Sequence, residues 1–194
     1  MIAAAVIAHM QDDASSRWHT SEASPPAGDG LAALILAQHR ANFDLWHQED
    51  AARSPDAPDS TIAAVKRAID RLNQQRNDLV ERIDHALLDE AGTQNESALL
   101  HSETPGLIVD RLSILALKIY HTGEETTRAS AGEEHRTRNL ERLRILEQQR
   151  ADLAACLDQL WAQILRGERR FRLYRQMKMY NDPDLNPVLY TRNS

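Results

Sequence analysis

Apolar residues recur along this chain at steps of three and four in long stretches separated by short polar breaks. Between Thr61 and Glu90 the series is Ile62, Val65, Ile69, Leu72, Arg76, Leu79 and Ile83. Between Thr137 and Arg166 it is Leu143, Leu146, Arg150, Leu153, Leu157, Leu160 and Ile164. A helix of 3.6 residues per turn gathers such positions on one side, so each stretch predicts a long amphipathic helix with one arginine inside its apolar stripe. Residues 31–53 predict another, with Leu31, Leu34, Ile35, Gln38, Ala41 and Leu45 on one side and Phe43 and Trp46 on a second. The most apolar run is 102–121. Thr104 reads there as an N-cap ahead of Pro105 at the first helical position. Leu107, Ile108, Val109, Leu112, Ile114, Leu115, Leu117 and Ile119 then cover nearly every side, which predicts a buried helix. Pro55 and Pro58 mark a turn in which Asp59 or Ser60 can cap the next helix, and Gly92 ends that helix. The helix after Pro105 is expected to stop near Gly123, with a polar loop to about Glu134.

Four long helices with short connections predict an all-α protein, an antiparallel four-helix bundle over residues 31–166. Residues 1–30 read as a mobile N-terminal arm because 11–30 are small and polar and end in Ser-Pro-Pro-Ala-Gly-Asp-Gly. Residues 167–194 read as a basic C-terminal extension packed on the bundle, with Leu185, Val188, Leu189 and Tyr190 docking. The chain also resembles itself. Leu72-Asn-Gln-Gln-Arg-Asn-Asp-Leu79 and Leu146-Glu-Gln-Gln-Arg-Ala-Asp-Leu153 share Leu-x-Gln-Gln-Arg-x-Asp-Leu, and the same shift of 74 residues sets Trp46-His47 on Tyr120-His121 and Asp50 on Glu124. Two helical hairpins, about 31–90 and 104–166, are therefore expected around a pseudo-twofold axis, with equivalent residues facing one another across a cleft.

Length and charge narrow the picture further. The 194 residues suit one domain, and 29 acidic against 23 basic side chains argue against a general nucleic-acid binder. Cys156 is the single cysteine, so no disulfide forms within the chain. The apolar first ten residues lack a basic n-region and are too short to span a bilayer, and a cytoplasmic location is expected.

Three sets of residues carry candidate chemistry. His47 with Asp50, and His121 with Glu124, are spaced i, i+3, so each pair presents an imidazole and a carboxylate on one helix face. Such pairs can hold a divalent metal, or simply hydrogen-bond each other. Glu49, Asp50, Asp70, Asn73, Asn77, Asp78, Glu81 and Asp84 form an acidic and amide-rich set. Glu81-x-x-Asp84 matches half the signature of metal-dependent all-α nucleotide hydrolases, and the other half is missing. Asp110, Arg111, Lys118 and His121 sit in the most apolar helix, where they must pair, for instance Asp110 with Arg76 or Arg150, or hold an anion.

Asn42-Phe-Asp-Leu-Trp-His-Gln-Glu-Asp50, Ile69-Asp-Arg-Leu-Asn-Gln-Gln-Arg-Asn-Asp78, Ser102 to His121 and Lys178-Met-Tyr-Asn-Asp-Pro183 together resemble the bacterial family catalogued as domain of unknown function 4254. The resemblance spans about Leu31 to Tyr190. Because members of that family tend to sit among glycosyltransferase genes, it implies surface-glycan assembly as a setting and no particular reaction. The resulting expectation is a protein that binds an anionic small molecule, a nucleotide sugar or sugar phosphate, between the hairpins. Glu49, Asp70, Asn73, Asn77, Arg111 and Lys118 would contact it, with His47, Asp50, Asp110 and His121 available for proton transfer. The alternative is a non-catalytic adaptor that docks a glycosyltransferase or a second copy of itself.

Overall fold

The computed structural model describes residues 1–20, 30–174 and 184–186. Among them are five helices: α1 (Ala4–Thr20), α2 (Leu31–Ala51), α3 (Asp59–Ala91), α4 (Pro105–Thr127) and α5 (Glu133–Leu165). Two strands of two residues each, β1 (Leu99–Leu100) and β2 (Arg169–Arg170), pair in parallel. The protein is all-helical, as its apolar spacing predicts. Several boundaries follow the local chemistry. The Thr104 hydroxyl accepts from the Leu107 N–H at 3.2 Å, with Pro105 in the first turn, and Gly92 ends α3 at φ 69°, a conformation open to glycine. α4 overruns its expected end, passing through Gly123 to Thr127. A lone glycine inside a helix costs only about 1 kcal/mol, and the Thr126 hydroxyl donates to the Gly123 carbonyl there at 2.7 Å.

Residues 4–20, expected as part of a mobile arm, instead form α1, which buries Ala4, Ile7, Gln11, Ala14 and Ser15; residues 21–29 lie outside the described residues. Polar bonds anchor this helix as much as apolar contact does. The Ala4 N–H donates to Asp158 of α5 at 2.9 Å, and the Gln11 amide donates to the Val109 carbonyl of α4 at 3.4 Å. Two of its five buried positions are polar, so its apolar period is faint and the stretch reads as a linker.

Paired contacts fix the helix directions. Gln11 meets Val109 and His19 meets Tyr120, while Gln38 meets Asp110 and Trp46 meets His121, so α1, α2 and α4 run the same way. Arg76 meets Asp110 and Asp84 meets Gly106, while Ala4 meets Asp158 and Asp12 meets Arg150, so α3 and α5 run oppositely. The core between them contains Ile7, Ile35, Ile83, Leu87, Leu112, Leu157, Trp161 and Phe171.

α4 is buried on one side only. Ile108, Val109, Leu112, Ala116 and Leu117 face inward, whereas Arg111 and Lys118 are exposed and so escape the cost of burying a charge. Beyond α5, Arg170 donates from Nε to the Ala98 carbonyl at 3.0 Å. Gln94 brackets the backbone of buried Phe171, donating to its carbonyl and accepting from its N–H. Leu185 is exposed, and Val188, Leu189 and Tyr190, expected to dock with it, lie outside the described residues. No described helix is long and apolar enough to cross a membrane.

Candidate functional site

A belt of buried polar side chains joins α1, α2 and α4. The Ser15 hydroxyl donates to the Gln11 carbonyl at 2.9 Å, which leaves its oxygen to accept from His39 Nε2 at 3.0 Å. His39 Nδ1 is then the acceptor for the Ser113 hydroxyl at 2.7 Å, and the Ser113 oxygen accepts from the Asn42 amide at 2.9 Å. This chain of single-proton donors fixes the His39 tautomer. Burial holds the ring neutral, its pKa lowered to about 4.

The belt continues into Asp110, whose carboxylate accepts four hydrogen bonds. Gln38 and Asn42 donate one each, at 2.5 and 3.0 Å, and Arg76 donates two, from Nε at 2.7 Å and Nη2 at 2.5 Å. The pairing of Asp110 with Arg76 suggested by the sequence is present. Oδ1 takes three of these bonds and Oδ2 the fourth, so both oxygens of Asp110, expected as a proton-transfer group, serve here to position their donors. What it positions is Arg76, whose guanidinium a bidentate partner locks in one orientation.

Arg76 lines a pocket of about 380 Å³ between α2, α3 and α4. Leu45, Ile114 and Leu117 form its apolar wall and Trp46 gives it a flat aromatic one. Asn42, Glu49, Asp50 and Arg53 complete it. Glu49 and Arg53 pair at 3.0 Å, whereas the Asp50 carboxylate makes no hydrogen bond among the described residues, only its backbone carbonyl accepting from the Arg53 N–H at 3.0 Å. Glu49 and Asp50 are therefore the expected site residues that the pocket gathers, and Asn42, Trp46, Arg53 and Arg76 are its additional members. Arg76 was legible in the sequence as an arginine inside an apolar stripe, the others only as neighbours of His47.

Trp46 also belongs to a second cluster. The Trp46 indole stacks on His121 with centroids 4.8 Å apart and planes 10° apart, and Tyr120 stacks on His19 at 4.1 Å and 12°. Between these stacks, one ring nitrogen from each of His19, His47 and His121 lies within 4.8 Å of the others. His121 donates from Nδ1 to Glu124 at 3.0 Å, the bond expected from their spacing. His47 makes no such bond to Asp50 among the described residues. Burial, followed by the proximity of His19 and His121, pushes the His47 pKa down. His19 was missed because it falls in the stretch read as an arm.

The remaining expected residues go elsewhere. Arg111 and Lys118 line a trough of about 790 Å³ between α4 and α5, where Arg111 is held by Glu103 at 2.9 Å, and they do not join the histidines. Asp70 pairs with Lys66 at 2.8 Å along α3, and Asn73 lies half-buried on the same helix. Asn77 lines a separate pocket of about 330 Å³ with Asp78, Glu81 and Asp84. Buried Asp84 accepts from the Gly106 N–H at 2.6 Å and is hydrogen-bonded to Thr104, and burial raises its pKa to about 6. That carboxylate is spent on holding the start of α4, which weakens the magnesium-binding reading of Glu81-x-x-Asp84.

No curated protein matches the chain, and neither does any solved structure. One family does, described as a protein of unknown function, over residues 32–173. The matched stretch contains α2 to α5, the Asp110–Arg76 pair, the pocket beside it and two of the three clustered histidines, but not α1. Since it takes in most of the sequence, the chain belongs to the DUF4254 family.

Proposed function

We propose that this protein binds a phosphorylated sugar, either a sugar phosphate or a nucleotide sugar, in the pocket between α2, α3 and α4. The observation that carries the reading is the placement of Arg76: buried Asp110 fixes its guanidinium at the pocket wall beside Trp46 and Arg53. A preorganised guanidinium suits phosphate oxygens, and orienting it beforehand lowers the entropy lost on binding. The remaining lining supports the sugar half. Glu49, Asp50 and Asn42 offer acceptors and an amide to hydroxyl groups, and the Trp46 face suits the apolar side of a ring. Lining of both charge signs fits a polyol phosphate better than a bare anion. Asp50 is the carboxylate available for proton transfer. Surface-glycan metabolism as the setting rests on the family resemblance alone.

The fold reading that accompanies this proposal is two hairpins, α2–α3 and α4–α5, related by a pseudo-twofold axis roughly parallel to the helices. It is supported by two meetings at the repeat shift: His39 bonds Ser113, 74 positions away, and His47 lies against His121 at the same separation. The pocket would then lie at the seam of the two halves.

A thermal-shift titration with sugar phosphates and nucleotide sugars tests the binding. The wild-type midpoint should rise with ligand concentration, and Asp50→Ala combined with Arg53→Ala should abolish most of the rise, because only a ligand that prefers the native state stabilises it. Asp50 is exposed at the end of α2 and Arg53 is exposed in the turn that follows, so the double variant should fold. No rise with any phosphorylated sugar, together with a concentration-dependent mass, would favour the adaptor alternative.

A further inference from the structure

From the cluster of His19, His47 and His121 we infer a metal site for a divalent first-row transition ion of the zinc class, assembled by α1, α2 and α4 together. It goes beyond the sugar-phosphate reading and does not depend on it.

Three observations carry it. The first is convergence: one ring nitrogen from each imidazole lies within 4.8 Å of the other two. Zinc–nitrogen bonds of about 2.0–2.1 Å set tetrahedral donors roughly 3.4 Å apart, so ligation requires the rings to close by up to roughly 1.4 Å. His19 is the penultimate residue of α1, where backbone adjustment costs least.

The second is the tautomers. His19 Nδ1 lies 2.7 Å from the Ser15 carbonyl and His121 Nδ1 lies 3.0 Å from the Glu124 carboxylate. Both partners only accept, so in each neutral ring the proton sits on Nδ1 and Nε2 keeps its lone pair. Anchoring one ring nitrogen on a carbonyl or carboxylate while the other faces the ion is how protein metal sites orient their histidines.

The third is the state of those lone pairs. Nε2 of His19 and Nε2 of His121 are both buried and have no hydrogen-bond partner among the described residues. Two bare acceptors in one cluster leave desolvation uncompensated, and the rings of Phe43, Trp46 and Tyr120 packed against the imidazoles offer them no donor in this arrangement among the described residues. A cation satisfies both lone pairs and the third imidazole at once. Three neutral imidazoles favour zinc-class ions over calcium or magnesium, which prefer oxygen, and a three-histidine set leaves a fourth position for water or an anionic ligand atom.

The test uses the full chain, stripped with chelator and titrated with zinc and with cobalt as a spectroscopic substitute. One ion per chain is expected, with the visible absorption of four-coordinate cobalt. His19→Ala, His47→Ala and His121→Ala should each weaken binding by roughly a hundredfold or more, and Glu124→Gln by roughly tenfold. His85→Ala, on an exposed histidine of α3, should bind as wild type does. Circular dichroism confirms that each variant is folded, and Glu124→Gln, which alters only an exposed carboxylate, keeps the test decisive if a histidine variant is not. The Asp50→Ala, Arg53→Ala protein should keep its zinc, so loss of the sugar-phosphate pocket and loss of the metal are separable. Failure of wild-type protein to take up a stoichiometric ion overturns the site, as does uptake that all three histidine variants retain.

Discussion

Arg150 of α5 places Nη1 2.6 and 2.7 Å from the two carboxylate oxygens of Asp12 in α1. The repeat shift pairs Arg150 with Arg76, which holds Asp110. Each arginine that interrupts an apolar stripe thus reaches an acid on another helix, but the two pairs differ in burial. Asp110 is almost closed to solvent at 6% exposure, whereas Asp12 is 41% exposed. Asp110→Ala should lower stability by about 3–5 kcal/mol because it strands a partly buried guanidinium. Asp12→Ala should cost about 1 kcal/mol or less after screening by water. Urea midpoints of the two variants check the ranking, and an equal loss in both would contradict it.

Gly106 allows α4 to start against α3. A Cβ there would fall 2.6 Å from Asp84 Oδ1 and 2.8 Å from the Val80 carbonyl oxygen, and the latter belongs to a helix backbone that cannot swing away. Gly106→Ala should therefore destabilise the fold by about 3 kcal/mol, although alanine is the better helix former. Gly123→Ala, which meets nothing within 4 Å, should be neutral or stabilising in the same denaturation assay.

Two buried groups oppose each other in acid. Folded Asp84 binds its proton up to about pH 6 and unfolded Asp near 3.8, so its contribution to stability is present below 3.8 and is lost as pH rises through 6. Folded His39 resists protonation down to about 4 while the unfolded ring takes a proton near 6.5, so its contribution is present above 6.5 and is lost as pH falls. Each is worth about 3 kcal/mol, and between pH 4 and 6 they largely cancel. Asp84→Asn should steepen the loss of stability below pH 6, and His39→Gln should flatten or reverse it. Urea unfolding at pH 4, 5, 6 and 7 measures both slopes.

How far the sequence discloses the site depends on where each side chain gets its partner. The cap at Thr104, the end of α3 at Gly92 and the pairing of Arg76 with Asp110 are decided by neighbours in sequence or by the cost of burying a charge, and they are legible. α1 is not, because Gln11 and Ser15 are buried through bonds to Val109, to a backbone carbonyl and to His39, which no local pattern reveals. His19 is lost with it. An apolar run such as 107–119 reads as covered on every side, which puts Arg111 and Lys118 in the interior, whereas α4 leaves one side to water. The spacing Ala4, Ile7, Gln11, Ala14, Trp18 is the signal that would have recovered the first helix.

Trp46 stands as a common wall, its ring stacked on His121 while it also lines the pocket between α2, α3 and α4. An indole emits differently when the imidazole stacked on it gains a charge or a metal, and again when a ligand displaces water from its edge. The molecule thereby carries an optical reporter placed between the two proposed sites. Its emission, isolated by comparison with Trp46→Phe, in which Trp18 and Trp161 remain, would register occupancy of either site without any label.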